Sequence, residues 1–110
     1  GQQRPDASQL KEEDTGVKVD KEYAFNPLQA EKEMQTGDFY AKKGSHKAAA
    51  LRYEEALKWN PGLTAAWRKL AVSRGKLKDE KAASEAWKKV LELEPEAKDA
   101  KEIRKRIKPS

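Results

Sequence analysis

The chain carries few reagents for covalent chemistry: one histidine, His46, and no cysteine in 110 residues. A nucleophilic triad would have to use His46, yet triads are recognised by converging geometry and no feature of the sequence supplies it. Packing or plain exposure is the expected role of this residue, which sits one position into a helical run. One histidine does not make a typical metal site, and the absence of thiols excludes disulfides and thiolate zinc sites within these residues. Acidic neighbours exist, but Glu12-Glu13-Asp14 lies in a polar leader and Glu54-Glu55 on a solvated helix face. There is no P-loop, no GxGxxG and no other glycine run to cradle phosphate. The expectation is a protein without catalytic residues, metal or cofactor, and not an enzyme.

Charge is the stronger rival signal. Residues 1–25 hold four bases and six acids, whereas 26–110 hold 20 bases and 13 acids, an acidic leader ahead of a basic domain. Lys98, Lys101, Arg104, Lys105, Arg106 and Lys108 crowd the C-terminal stretch, a stripe able to neutralise phosphates on nucleic acid or lipid head groups. Glu96, Asp99 and Glu102 are interleaved with it, and base-stacking aromatics are missing beside it. A solubilising helix is therefore the favoured reading and nucleic-acid binding trails. Exposed tryptophans would mark binding hot spots. The helical register instead places Trp67 and Trp87 in the core and Trp59 under a turn.

The elements that must position these groups follow a fixed period. Pro27, Pro61 and Pro95 stand 34 residues apart, and the last two each close an amphipathic helical pattern. A period of this size marks helical hairpins that cannot bury their apolar faces alone and must stack on one another. Superposing the intervals pairs Gly37 with Ala71, Ser45 with Asp79, Ala49 with Ala83, Tyr53 with Trp87, Ala56 with Val90 and Leu57 with Leu91. Ala49, Ala50, Tyr53, Ala56 and Leu57 form one helix face; Leu63, Ala66, Trp67, Leu70 and Ala71 a second; Ala83, Ala86, Trp87, Val90 and Leu91 a third. Ser45 and Asp79 are expected N-caps. Gly44 supplies a left-handed residue at the end of the first helix. Glu54 with Lys58 and Glu85 with Lys89 are expected surface pairs. Ala97, Ala100, Ile103 and Ile107 then give a thin stripe on a last, capping helix.

Trp67-Arg68-Lys69-Leu70-Ala71, followed by Ala83, Trp87 and Pro95, resembles the tetratricopeptide repeat, and the likeness extends over about residues 28–108. The first unit keeps Gly37, Tyr40, Ala49, Tyr53, Ala56 and Pro61 but has Glu33 and Thr36 where tryptophan and leucine are usual, marks of a chain end. The second departs at Val90 and at Arg74, where an aromatic is usual. Arg74 lies next to Gly75, and glycine within a helix costs about 1 kcal/mol, which predicts a loose end to that helix. The resemblance implies an all-α fold, a right-handed α-α superhelix of two hairpins plus a C-terminal capping helix. Its inner surface would hold an extended peptide or a partner helix. By position, that groove is lined by Met34, Asp38, Ala41, Arg68, Lys69, Val72 and Lys76, a mixed apolar and basic surface. Family members that grip chaperone C-terminal carboxylates use lysine and asparagine where this chain has Met34 and Asp38, and an acid at Asp38 would repel a carboxylate, which argues against that ligand. Residues 37–53 resemble repeats of bacterial outer-membrane-assembly lipoproteins and related exported proteins.

The resulting division is a leader at 1–26, repeat 1 at 27–61, repeat 2 at 62–95 and a capping helix at 96–110. Composition predicts disorder over Gly1–Thr15. Val17, Val19, Tyr23 and Phe25 alternate as an extended segment able to cover the open flank of the first repeat. A polar leader of this kind is also what removal of a secretory signal leaves, which with the resemblance favours a bacterial periplasmic, cell-envelope or secreted setting over the cytoplasm. The functional expectation is an interaction module for a protein or peptide partner. The alternative is a structural module that self-associates through the uncovered edge of repeat 1.

Overall fold

A computed structural model describes residues 23–109 and holds five helices: α1 (Pro27–Lys42), α2 (His46–Trp59), α3 (Thr64–Lys76), α4 (Glu80–Leu93) and α5 (Ala100–Arg106). The described chain is all-helical. Substantial packing runs between chain neighbours, α1 on α2, α2 on α3, α3 on α4 and α4 on α5, so two helical hairpins stack and a short helix closes the second. The prolines set the spacing by restricting the residue ahead of them to extended backbone. Asn26, Asn60 and Glu94 share that geometry, with φ/ψ of −148/88, −146/87 and −134/71°. Pro27 accordingly opens α1 at its first turn, where its missing N–H is no loss. Pro61 and Pro95 follow α2 and α4.

The expected stripes form the core. Ala49, Ala50, Tyr53, Ala56 and Leu57 are buried, as are Ala66, Leu70 and Ala71, then Ala83, Ala86, Trp87 and Val90. Leu63, Trp67 and Leu91 pack against them half-buried. Alanine lets the backbones approach and leaves the few large side chains to fill the space between. Gly37 shows how closely: a Cβ built there would lie 2.5 Å from Cε1 of Tyr53. Ala100 and Ile103 on α5 are buried and Ile107, just past its end, packs beside them, so three residues of the expected stripe join the core while Ala97 lies ahead of the helix.

Both hairpin turns use one hydrogen-bond pattern. Gly44 N–H donates to Ala41 and Ser45 N–H to Tyr40; 34 residues later Lys78 N–H donates to Gly75 and Asp79 N–H to Arg74. These are paired bonds that close a helix on a left-handed residue. Gly44 takes φ 82° as expected, but the second turn forces Lys78 to φ 66°, which the sequence does not announce.

Four expectations are corrected. Asp79 caps α4 by accepting from Ala82 N–H at 3.2 Å, whereas Ser45 holds the N-cap position of α2 without a side-chain bond. Asn26, unremarked in the sequence, caps α1 through Gln29 N–H at 3.0 Å. The end of α3 is not loose: the helix runs through Gly75 to Lys76, because Arg74 donates to the Ala82 carbonyl at 3.1 Å and to Glu54 at 3.1 Å. With Glu54 so engaged, Lys58 pairs with Glu55 and Lys89 with Glu92, both three residues apart rather than four.

Val17 and Val19 of the extended leader lie outside the described residues, as does the region expected to be disordered. Of the four alternating residues, Tyr23 packs edge-on against Trp59, with ring centroids 4.7 Å apart, and donates to Glu55 at 2.7 Å. Phe25 is 71% exposed, so these two do not share a buried face. Asn26 N–H donates to the Trp59 carbonyl, fixing the entry to α1 against the end of α2.

Candidate functional groove

The repeat places α1 and α3 as equivalent helices, and the residues facing their junction line a groove of about 250 Å³. Asp38, Ala41, Arg68, Lys69 and Val72 all border it, joined by His46, Tyr53 and Ser73. Of the seven residues assigned to the groove from sequence, these five come together. Met34 does not: it is 6% exposed and packs in the core, because an apolar side chain at this position turns inward. Its counterpart Arg68 instead reaches toward α5. Lys76 lies farther along α3, in a second cleft that shares Val72 with the groove.

Electrostatics inside the groove differ from the basic surface expected. Lys69 Nζ sits 2.9 and 2.8 Å from the two oxygens of Asp38, and Tyr53 donates its hydroxyl to Asp38 at 2.6 Å. Burial works to raise the Asp38 pKa, but the hydrogen bonds from Lys69 and Tyr53 and the charges of Lys69 and Lys42 outweigh it, and the carboxyl is held below its ordinary value. Tyr53 is pushed well above the usual phenol range by burial and by donating to that carboxylate. Arg68 grips Asp99 with two nitrogens at 2.6 and 2.9 Å and reaches Glu94 at 3.5 Å. The bidentate bond lowers the Asp99 pKa. It also turns that carboxylate away from capping α5, whose N-cap position it holds. Of the three basic residues assigned to the groove, Arg68 and Lys69 are thus neutralised from within, and Lys76 lies outside it. The signal was absent locally: Lys69 and Asp38 are 31 residues apart, and so are Arg68 and Asp99, a separation that is not the repeat period.

His46, Asp38 and Ser73 border one groove, a set that invites comparison with a hydrolytic triad. Asp38 is committed to Lys69 and Tyr53, and among the described residues no hydrogen bond joins His46 to Asp38 or Ser73. The relay that would activate a serine is not built. Among the described residues there is also no group of three His, Asp or Glu able to hold a metal ion, and no helix is long and apolar enough to cross a membrane.

No family model and no curated protein matches the chain. Among solved structures, it is similar to the first tetratricopeptide domain of Spaghetti (RPAP3), bound to the HSP90 peptide SRMEEVD, at 20% identity over 74% of this chain and 92% of that one, with a TM-score of 0.37. At that score the likeness carries no argument. The fold stands on the chain's own period, turns and helix contacts: two helical hairpins with tetratricopeptide-like spacing and a short closing helix.

Proposed function

We propose that this protein is a non-enzymatic interaction module that holds a segment of a partner protein in the groove between α1 and α3. The observation that carries this reading is convergence. Five residues singled out by repeat position, from two helices far apart in sequence, border one open groove in which Val72 is left 48% exposed. Around it Lys69 and Tyr53 already both donate to Asp38, so the wall is preorganised and an incoming chain need not order it. Apolar contact at Ala41 and Val72 supplies attachment, and the polar wall supplies orientation.

Selecting peptides from a random linear library against the folded chain, then following amide chemical shifts on addition of a selected peptide, tests the assignment. Shifts are expected at Ala41, Lys69 and Val72; shifts confined to other helices would remove the groove from consideration.

A second reading, self-association, is favoured by apolar side chains left open on the first hairpin: Leu28 is 77% exposed, Phe39 55% and Leu51 58%. Sedimentation over a range of concentrations separates the two, since a monomer at high concentration rules the second out. A bacterial cell-envelope or secreted setting belongs to the proposal through the resemblance at residues 37–53, with the cytoplasm as alternative. Fractionation of the source cells decides between them.

A further inference from the structure

Internal pairing of Arg68 and Lys69 leaves a question for any acidic ligand, namely which cations remain to meet it. The second cleft, of about 400 Å³, lies where α3, α4 and the end of α5 converge, and it shares Val72 with the groove. Lys76, Lys105, Arg106 and Lys108 border it against one carboxylate, Glu80. Lys105 also contacts Glu102 at 3.5 Å, but among the described residues Lys76, Arg106 and Lys108 form no ion pair. We propose that this cleft is where the protein recognises a partner segment bearing aspartate or glutamate next to an apolar side chain.

The site is built rather than incidental. Ser84, 4% exposed, accepts from Lys108 N–H at 2.8 Å and donates to the Arg106 carbonyl at 3.4 Å, which pins the chain after α5 across α4. Arg106 then lies over the Trp87 ring, 5.5 Å from its centroid. The floor is made by Ala71, Val72 and Trp87. Gly75 borders it and leaves open space, since a Cβ there would meet nothing within 4 Å. Cations at the rim beside these apolar side chains suit a side chain pair of one acid and one hydrophobe. A peptide is favoured over nucleic acid because the floor presents aliphatic groups and its one aromatic face is already occupied by Arg106. Val72 borders both, so a single extended chain that occupies both would pass over it.

This inference rests on the peptide-binding reading, and the test separates the two. Peptides selected from the random library are resynthesised with amidated C-termini, which removes the terminal carboxylate, and titrated against the parent chain, the double variant Lys76→Glu/Lys108→Glu, and Gly75→Leu. The expected result is enrichment of acidic-apolar sequences whose affinity falls about tenfold or more in the charge-reversal variant. Gly75→Leu, which fills the cleft while replacing glycine by a better helix former, should abolish the acidic preference with the helical circular dichroism retained. Selected peptides that bind parent and charge-reversal variant equally would leave the groove reading standing and overturn the cleft. Absence of any selected peptide would sink both. Tighter binding of a single-stranded oligonucleotide or of phosphatidylserine vesicles than of every peptide would overturn the choice of partner. Should Gly75→Leu fail to fold, the surface charge reversal decides alone.

Discussion

The two hairpins follow the same backbone path and hold it by different chemistry. In the first, α1 and α2 meet because Gly37 has no side chain, so Tyr53 lies flat against the helix and its hydroxyl bonds Asp38. In the second, Ala71 and Trp87 take those places. Arg74 stands where the first hairpin has Tyr40, and replaces aromatic packing with bonds to α2 and α4. Glu33 likewise stands where the second has Trp67: it pairs with Arg52 at 3.0 Å, while Trp67 Nε1–H donates to the Pro61 carbonyl at 2.9 Å. A helical repeat therefore constrains where the chain goes and which positions must be filled, and leaves open whether a position is filled by packing or by polar bonding.

Breaking the polar substitute should have the largest effect. Arg74→Ala removes a mostly buried side chain together with its bonds to the Ala82 carbonyl and to Glu54, for a loss of about 2 kcal/mol in urea unfolding. Arg74→Tyr, which imitates the first hairpin, should recover part of it. Next, Gly37→Ala places a methyl group 2.5 Å from a ring that cannot swing aside without losing Asp38. Overpacking of about 1–3 kcal/mol outweighs the gain of about 1 kcal/mol from alanine's helix propensity, so the midpoint of thermal unfolding falls. The same substitution in the second hairpin, Gly75→Ala, meets open space and should stabilise by about 0.5–1 kcal/mol. Opposite signs for one substitution at two glycines would establish the contrast; equal signs would end it.

Turns offer a finer comparison. Lys78 occupies with φ 66° the place that Gly44 holds with φ 82°. Lys78→Gly should raise stability by up to about 1 kcal/mol by relieving the left-handed strain, and Gly44→Lys should lower it by a similar amount. The smallest effect concerns pH. The Asp38 pKa is lowered in the folded state, so its contribution is present above the unfolded-state value near 3.8 and is lost as pH falls through the folded value. The side chain is 45% exposed and the effect is screened accordingly. Asp38→Asn should flatten the acid limb of a stability–pH profile below about pH 4.

Much of the fold was legible because its determinants are local or periodic. Proline restricts its predecessor, alanine stripes recur every three or four residues, and Gly44 signals a helix end, all within a few residues of each other. The first hairpin turn and most of the stripe on α5 followed from those rules, whereas the groove positions came from the resemblance to the tetratricopeptide repeat. Met34 misled because repeat position says which side a residue approaches, not whether an apolar chain there turns inward. The leader misled in part, since Tyr23 finds Trp59 and Glu55 while Phe25 faces solvent, a choice made by the end of α2 rather than by alternation.

The 34-residue spacing and the apolar stripes along it determined the order of helices and the faces that α2, α3 and α4 bury, since period and backbone sterics act along the chain. Only the tertiary structure decided which charges survive. Asp38 with Lys69 and Arg68 with Asp99 meet across helices that stacking brings together, and Coulomb attraction between groups a few ångströms apart owes nothing to their distance in sequence. That is why a groove expected to be partly basic is internally balanced at Arg68 and Lys69, while among the described residues Lys76, Arg106 and Lys108, around the second cleft, form no ion pair.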